Sequence, residues 1–209
     1  MEGASRIMFS NKVMALMFLS AIFHSMGFAT PGWLFMKLSN GTIHTGLWYG
    51  VHCDSSSCST NTIWNLDQSH FKFKDSESLS SVLSKYQVID TVALVASFVA
   101  ILMNIVHRKT DQKLRFIWSV AICIIAMFMA GILGIVTAAH FSNRIRHAEE
   151  FYNTILENES PYRIPYSIIF TGLGGLVAII AYIIVAYRIA MDRDKKQLSN
   201  ISYQMYNLD

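Results

Sequence analysis

Residues 33–58 read Trp33-Leu34-Phe35-Met36-Lys37-Leu38-Ser39-Asn40-Gly41-Thr42-Ile43-His44-Thr45-Gly46-Leu47-Trp48-Tyr49-Gly50-Val51-His52-Cys53-Asp54-Ser55-Ser56-Ser57-Cys58, and the fold turns on how this stretch is read. It follows an apolar N-terminal run, which places it against the outer face of a membrane. Trp33 and Trp48 suit the lipid–water boundary, where an apolar ring with one N–H donor is at home. Asn40-Gly41 is a two-residue hairpin signal, because a type I′ turn needs positive φ at both positions. Thr42 to Val51 mixes β-branched, aromatic and small residues as a strand pair does. Asp54 to Ser57 makes a hairpin tip between the two cysteines. The stretch therefore predicts a small antiparallel sheet whose second hairpin is pinned by Cys53 and Cys58.

Working outward, the 209-residue chain is 53% hydrophobic and 15% charged, with three prolines. That is too apolar for an ordinary soluble domain. The apolar residues fall in four blocks, roughly 13–33, 87–106, 116–139 and 166–187, each near the ~20 residues that cross a hydrocarbon core. The loops then run over about 34–86 and 140–165, with a polar tail at 188–209 that reads as disordered. Ten Lys and Arg fall on the side of the termini and the 107–115 turn. Seven fall on the other side, although it is nearly twice as long. The positive-inside rule makes the first side cytoplasmic. The net charge of +3 reflects this asymmetry and is no argument for nucleic acid.

Cys53 and Cys58 then lie outside the cell, where disulfides persist, and Cys123 lies mid-span. A zinc site from His52, Cys53 and Cys58 lacks a fourth ligand. A redox centre would want a Cys-x-x-Cys pair, and four residues separate these two. A structural disulfide is the preferred reading. The chain shows no phosphate loop, dinucleotide fingerprint or nucleophile–base set, so no cofactor is expected and no enzyme is predicted.

The spans themselves carry three features beyond apolar length. Ser20 and His24 share one face of the first span. An intramembrane histidine is a functional candidate by default, and the plainer reading is a neutral imidazole hydrogen-bonded to a neighbouring helix. Asp90, about one turn inside the second span, reads either as a cation-attracting carboxylate at a pore or subunit contact or, preferred, as an interfacial group hydrated near the headgroups. Ala126, Ala130, Gly134 and Ala138, with Gly172, Gly174, Gly175 and Ala178, form small-residue stripes of the kind that let helices approach in lipid. In the first loop Phe71 to Lys74 alternates like a strand, and Asp75 is placed to cap a helix carrying Leu79, Val82, Leu83 and Tyr86. Asn40-Gly41-Thr42 is also a glycosylation sequon. In the second loop Phe151-Tyr152 and Pro161-Tyr162 offer a contact tip, and Asn158-Glu159-Ser160 is a sequon disfavoured by Pro161.

Trp33, then Gly46-Leu47-Trp48, then Cys53 and Cys58 resemble the first-loop signature of the peripheral myelin protein/epithelial membrane protein/claudin superfamily. The resemblance extends over four spans, a large first loop and a smaller second one. It implies a left-handed four-helix transmembrane bundle carrying an extracellular antiparallel sheet in a single domain. It also implies contact between cells or a paracellular barrier, built by pairing with itself or related tetraspan proteins in cis and trans. His44-Thr45-Gly46-Leu47-Trp48 is similar, too, to the γ subunits of calcium channels, which implies an auxiliary subunit of an ion channel or receptor as the alternative. In either case Trp33, Gly46, Leu47 and Trp48 are structural, with burial of Trp48 expected to contribute several kcal/mol. Asp54, beside the first cysteine, is the candidate ion-path residue; the rival reading makes it a turn former capping the hairpin tip.

Overall fold

A computed structural model describes residues 11–38, 41–54, 56–62, 79–109, 113–156 and 165–206. The protein is mostly helical, with four long apolar helices and one four-stranded antiparallel sheet. The elements run α1 (Asn11–Ala29), β1 (Leu34–Leu38), β2 (Gly41–Thr45), β3 (Tyr49–Asp54), β4 (Cys58–Thr62), α2 (Leu79–Lys109), α3 (Lys113–Leu156) and α4 (Tyr166–Tyr206). Each helix contains a segment long and apolar enough to cross a membrane: Asn11–Ala29, Ser81–Val106, Ile117–Arg146 and Tyr166–Met191. Phe18, Val95, Ile125 and Ile183 are among the large apolar side chains these helices turn outward. Such a surface is solvated by lipid tails, so the chain contacts a bilayer as a multi-pass protein.

Three helices, α1, α3 and α4, end elsewhere than the sequence reading places them. α1 ends at Ala29, four residues short of Trp33, because Pro31 cannot continue it and Thr30 turns its hydroxyl back to the Met26 carbonyl (2.7 Å). α3 overruns the expected end at 139 and continues to Leu156. At 1.5 Å per residue it is about 66 Å long, twice a hydrocarbon core. Neither Gly nor Pro stops it near 139, and its overrun buries Phe141 and Ile145 under the sheet. α4 likewise carries the tail to Tyr206 as helix, since no Gly or Pro follows Gly175. The expected short helix before the second span is the beginning of α2, whose Val82, Leu83 and Tyr86 are buried. Phe71 to Lys74, Asp75, the sequon asparagines Asn40 and Asn158, and Pro161-Tyr162 lie outside the described residues. Side chains at Phe151 and Tyr152 do too.

The sheet is a simple meander, β1-β2-β3-β4. Leu38 pairs with Gly41, so the glycine that the Asn40-Gly41 signal places in the turn stands in a strand. Gly41 is already in β2 and has no positive φ. Its missing Cβ serves another end, because one there would run into the Cys53 carbonyl oxygen across the ladder.

Two cores result. One, at the sheet end, joins Trp33, Leu34, Ile43 and Leu47 to Leu83, Tyr86, Phe141 and Ile168. The other fills the opposite half of the bundle with Val13, Met17, Ala100, Cys123, Met127 and Val185. Between them α3 and α4 touch backbone to backbone: a Cβ on Gly175 would lie 2.7 Å from the Gly131 carbonyl oxygen and 2.8 Å from the Ile135 nitrogen. The small-residue stripe is internal packing at this crossing.

Candidate functional site

Trp33 sits where α1 gives way to β1, and it is wholly buried. Its indole N–H donates to the Gly27 carbonyl (2.7 Å), and its backbone N–H donates to the Thr45 carbonyl (2.8 Å). Its ring meets Phe141 edge-on at 5.2 Å and Tyr86 at 6.2 Å. Trp33 is therefore no boundary anchor. Its one polar side-chain atom is satisfied inside the protein, and its area is spent joining three elements.

Gly46, Leu47 and Trp48 link β2 to β3, closed by a hydrogen bond from the Gly46 N–H to the Tyr49 carbonyl (2.7 Å). The turn presses on the end of α1. A Cβ on Gly46 would stand 2.9 Å from the Thr30 carbonyl oxygen and 3.1 Å from Pro31 Cα. Leu47 is completely buried, and its carbonyl accepts a hydrogen bond from the Gln87 side chain on α2. Trp48 points the other way. It is 43% exposed and rests on Phe28 at 5.2 Å. The expectation that Trp48 is the buried structural centre is thus corrected; Leu47 and Trp33 hold that place. In so tight a turn, successive side chains diverge, and only one of the pair can enter the core.

The sheet is tied to α4 as well. The Ser167 hydroxyl accepts from the Gly32 N–H (2.9 Å), and the Ser167 backbone N–H donates back to the Gly32 carbonyl (3.1 Å). A Cβ on Gly32 would collide with the Tyr166 ring. Gln87, Gly32 and Ser167 escape a reading based on motif spacing. Gln87 alone carries a signal, as an amide at the start of an apolar span, where a buried polar group implies a specific partner.

The far hairpin is built differently. Cys53 and Cys58 face each other in the ladder and are joined, S–S 2.07 Å with Cα atoms 4.0 Å apart. Both sulfurs are therefore committed, and neither is available to a metal or to thiol exchange as a free thiolate. Asp54 follows directly. Its Oδ1 accepts from the backbone N–H of Ser56 (2.8 Å) and of Ser57 (2.7 Å), and from the Ser56 hydroxyl (2.9 Å). The Ser56 N–H, then that of Ser57, hold its carboxyl down to about 2. Asp54 caps the hairpin tip, as a turn-forming aspartate does. All five residues of β4 are exposed. His44, in the inner part of the sheet, packs edge-on to Phe35 at 4.5 Å, and partial burial lowers its pKa.

Inside the bundle two readings change. His24 is fully buried, and neither ring nitrogen has a partner among the described residues. Ser20, on the same face, does find one, donating to the Gly174 carbonyl (2.9 Å). Asp90 is also fully buried, with both oxygens unpaired among the described residues, so it is no hydrated interfacial group.

No protein-family model and no curated protein matches the chain.

Proposed function

We propose that this is a claudin-like, non-enzymatic tetraspan protein of the plasma membrane that presents its sheet for contact between cells or for a paracellular barrier. The observation that carries this reading is the sheet's division of labour. Its root is buried in the bundle, while the disulfide-bonded β3–β4 hairpin holds a fully exposed strand at the edge of the described sheet. An exposed edge is a template for strand addition by another chain. Both termini lie in the cytoplasm by the distribution of Lys and Arg, and the sheet faces outward. Partners are copies of this chain or related tetraspan proteins, in the same membrane and the facing one.

The ladder supplies a specific test. Asp54 and Ser57 form a hydrogen-bonded pair (2.9 Å), so the next such pairs are His52–Ser59 and Gly50–Asn61. The N–H of Thr60 then points away from β3. Thr60→Pro removes an outward donor and leaves the internal ladder intact. In adhesion-deficient cells the parent should form strands visible by freeze-fracture, and Thr60→Pro should not, at equal surface level. Unchanged strands in the variant refute edge pairing. Asp54 places one carboxylate at the tip, so any charge preference of such a path is for cations. Dilution potentials across epithelial layers should show a weak cation preference that falls in Asp54→Asn; strong anion selectivity refutes it.

A second reading, an auxiliary subunit of a channel or receptor, is favoured by one feature. An apolar groove of about 410 Å³ runs between α3 and α4, lined by Ile135, Ala138, Ala139, Ile168, Ile169 and Gly172. It would receive a helix of a larger membrane protein laterally. Stoichiometric co-purification with a channel, lost in Ala139→Trp and unaccompanied by strands, would select this reading over the first.

A further inference from the structure

Among the described residues, most buried polar side chains have partners: Ser20 on the Gly174 carbonyl, Ser97 on the Ala93 carbonyl, and Gln87 on the Leu47 carbonyl. The unpaired ones are not scattered. His24, Asp90, Thr137 and Thr171 come from α1, α2, α3 and α4, one from each helix, and all are at least 99% buried. The one other, Asn104 Oδ1, lies towards the far end of the bundle, beside Met17.

The helix pairings bring these four to one level. On α2 and α3 the Tyr86 hydroxyl meets His140 Nδ1 (2.6 Å), and the Ala100 carbonyl meets the Cys123 thiol (3.5 Å). The antiparallel run between those contacts sets Asp90 level with residues 133–136. The His24 ring packs at that level, because a Cβ on Gly134 would lie 2.6 Å from its Cε1 and one on Gly174 3.0 Å from its Cδ2. Thr137 is one turn further along α3. Thr171 is one turn back along α4 from Gly174, with its hydroxyl against Gly27, one turn past His24. All four side chains therefore lie within about one helical turn, ~5 Å of depth.

An unpaired buried polar group costs roughly 1–3 kcal/mol, and native interiors satisfy nearly all of them with protein or ordered water. Four such groups on four helices, with none meeting another within hydrogen-bond distance, match the partners that buried water takes, about three per molecule. We propose that this layer is a water-binding site at the centre of the bundle, through which Asp90 and His24 share one proton. One proton on the pair keeps it neutral, either as carboxylic acid with imidazole or as carboxylate with imidazolium. Removing that proton, or adding a second, leaves a net charge in an apolar bundle. No other described group offers to neutralise it. Lys85 on α2 is exposed at the sheet end, Cys123 on α3 lies about three turns deeper, Tyr182 on α4 lies beyond Gly174, and Tyr86 is engaged with His140.

The threonines give the test its sign. Thr→Val keeps the shape and replaces the hydroxyl with a methyl group. Where the hydroxyl is a ligand to bound water, Thr137→Val and Thr171→Val each lower the unfolding temperature in detergent micelles, because the water loses a partner. Where the hydroxyl is simply orphaned, the same changes raise it, because a desolvated polar atom is removed. Expected is a lowering in both; a rise in either overturns the water site. Proton sharing is read separately on the full chain in nanodiscs, labelled with ¹³C-aspartate. The infrared band of the Asp90 carboxyl, identified by its loss in Asp90→Asn, should shift on transfer to D₂O and again in His24→Gln. A band indifferent to His24→Gln overturns the sharing. If Asp90→Asn does not fold, Asp90→Glu, which keeps the carboxyl and loses the ¹³C label, identifies the band in its place.

Discussion

The two ends of one stretch, residues 33–48 and residues 49–62, are held by different physics. The root is side-chain packing: Trp33, Leu47 and Ile43 vanish into a core shared with α2, α3 and α4. The tip has almost no core. A covalent bond between facing cysteines and four hydrogen bonds from Ser56 and Ser57 onto the Asp54 carboxylate keep its shape. The difference teaches that a motif spread over both ends is not one functional unit. Its first tryptophan belongs to the fold, and its second lies on the surface.

The largest expected effect separates the two tryptophans. Trp33→Ala should cost about 3–5 kcal/mol, by cavity formation and by leaving the Gly27 carbonyl without its donor. Trp48→Ala should cost about 1 kcal/mol, for one partly exposed aromatic contact with Phe28. Thermal unfolding in micelles, with surface delivery as a second readout, checks the order. Equal losses would break the distinction between buried and surface tryptophan.

Next comes the turn. Gly46→Ala forces a Cβ to within 2.9 Å of the Thr30 carbonyl oxygen. Backbone on both sides cannot yield cheaply, so a loss of about 1–3 kcal/mol is expected. A neutral Gly46→Ala would show that the turn lifts freely from α1.

Opening the disulfide should act only at the tip and leave the bundle folded. The loop it closes is short, so the chain-entropy contribution is roughly 2 kcal/mol. An impermeant thiol reagent on intact cells should label neither cysteine before reduction and both afterwards. After reduction, limited proteolysis should cut near 54–57 while the bundle persists. Global unfolding on reduction would show that the tip supports the root.

The smallest effect is a pH dependence at the tip. In the folded hairpin the Asp54 carboxyl is held down to about 2, below its ordinary value near 3.8. Its contribution is therefore fully present above about pH 4 and is lost as pH falls through about 2. The protection of the Ser56 and Ser57 amides, taken relative to their intrinsic exchange rates, should fall across that window in the parent. In Asp54→Asn that pH-dependent fall should be absent.

Much of this architecture is legible in the chain because its signals are local. An apolar block of some 20 residues has few fates other than crossing a bilayer. The cysteine pair and the strand composition announce a pinned hairpin for the same reason. Helix ends without a local stop are less legible, so α3 and α4 run on past 139 and 187 into polar sequence. Asn40-Gly41 misleads about Gly41 because glycine serves turns and close strand approach equally well. The need for glycine at 41 arises from the Cys53 carbonyl on the facing strand, twelve residues further along the chain.

The sequence by itself determined four apolar helices, a small antiparallel sheet after the first, and cysteines positioned to close its far hairpin. Which tryptophan is buried, where Gln87 finds its acceptor, and that His24 and Asp90 share one level of the bundle were decided only by tertiary structure. Each of these depends on the depth and rotation of helices relative to one another. A helix's own periodicity leaves both undetermined until the glycines of α3 and α4 meet and set the distance between them.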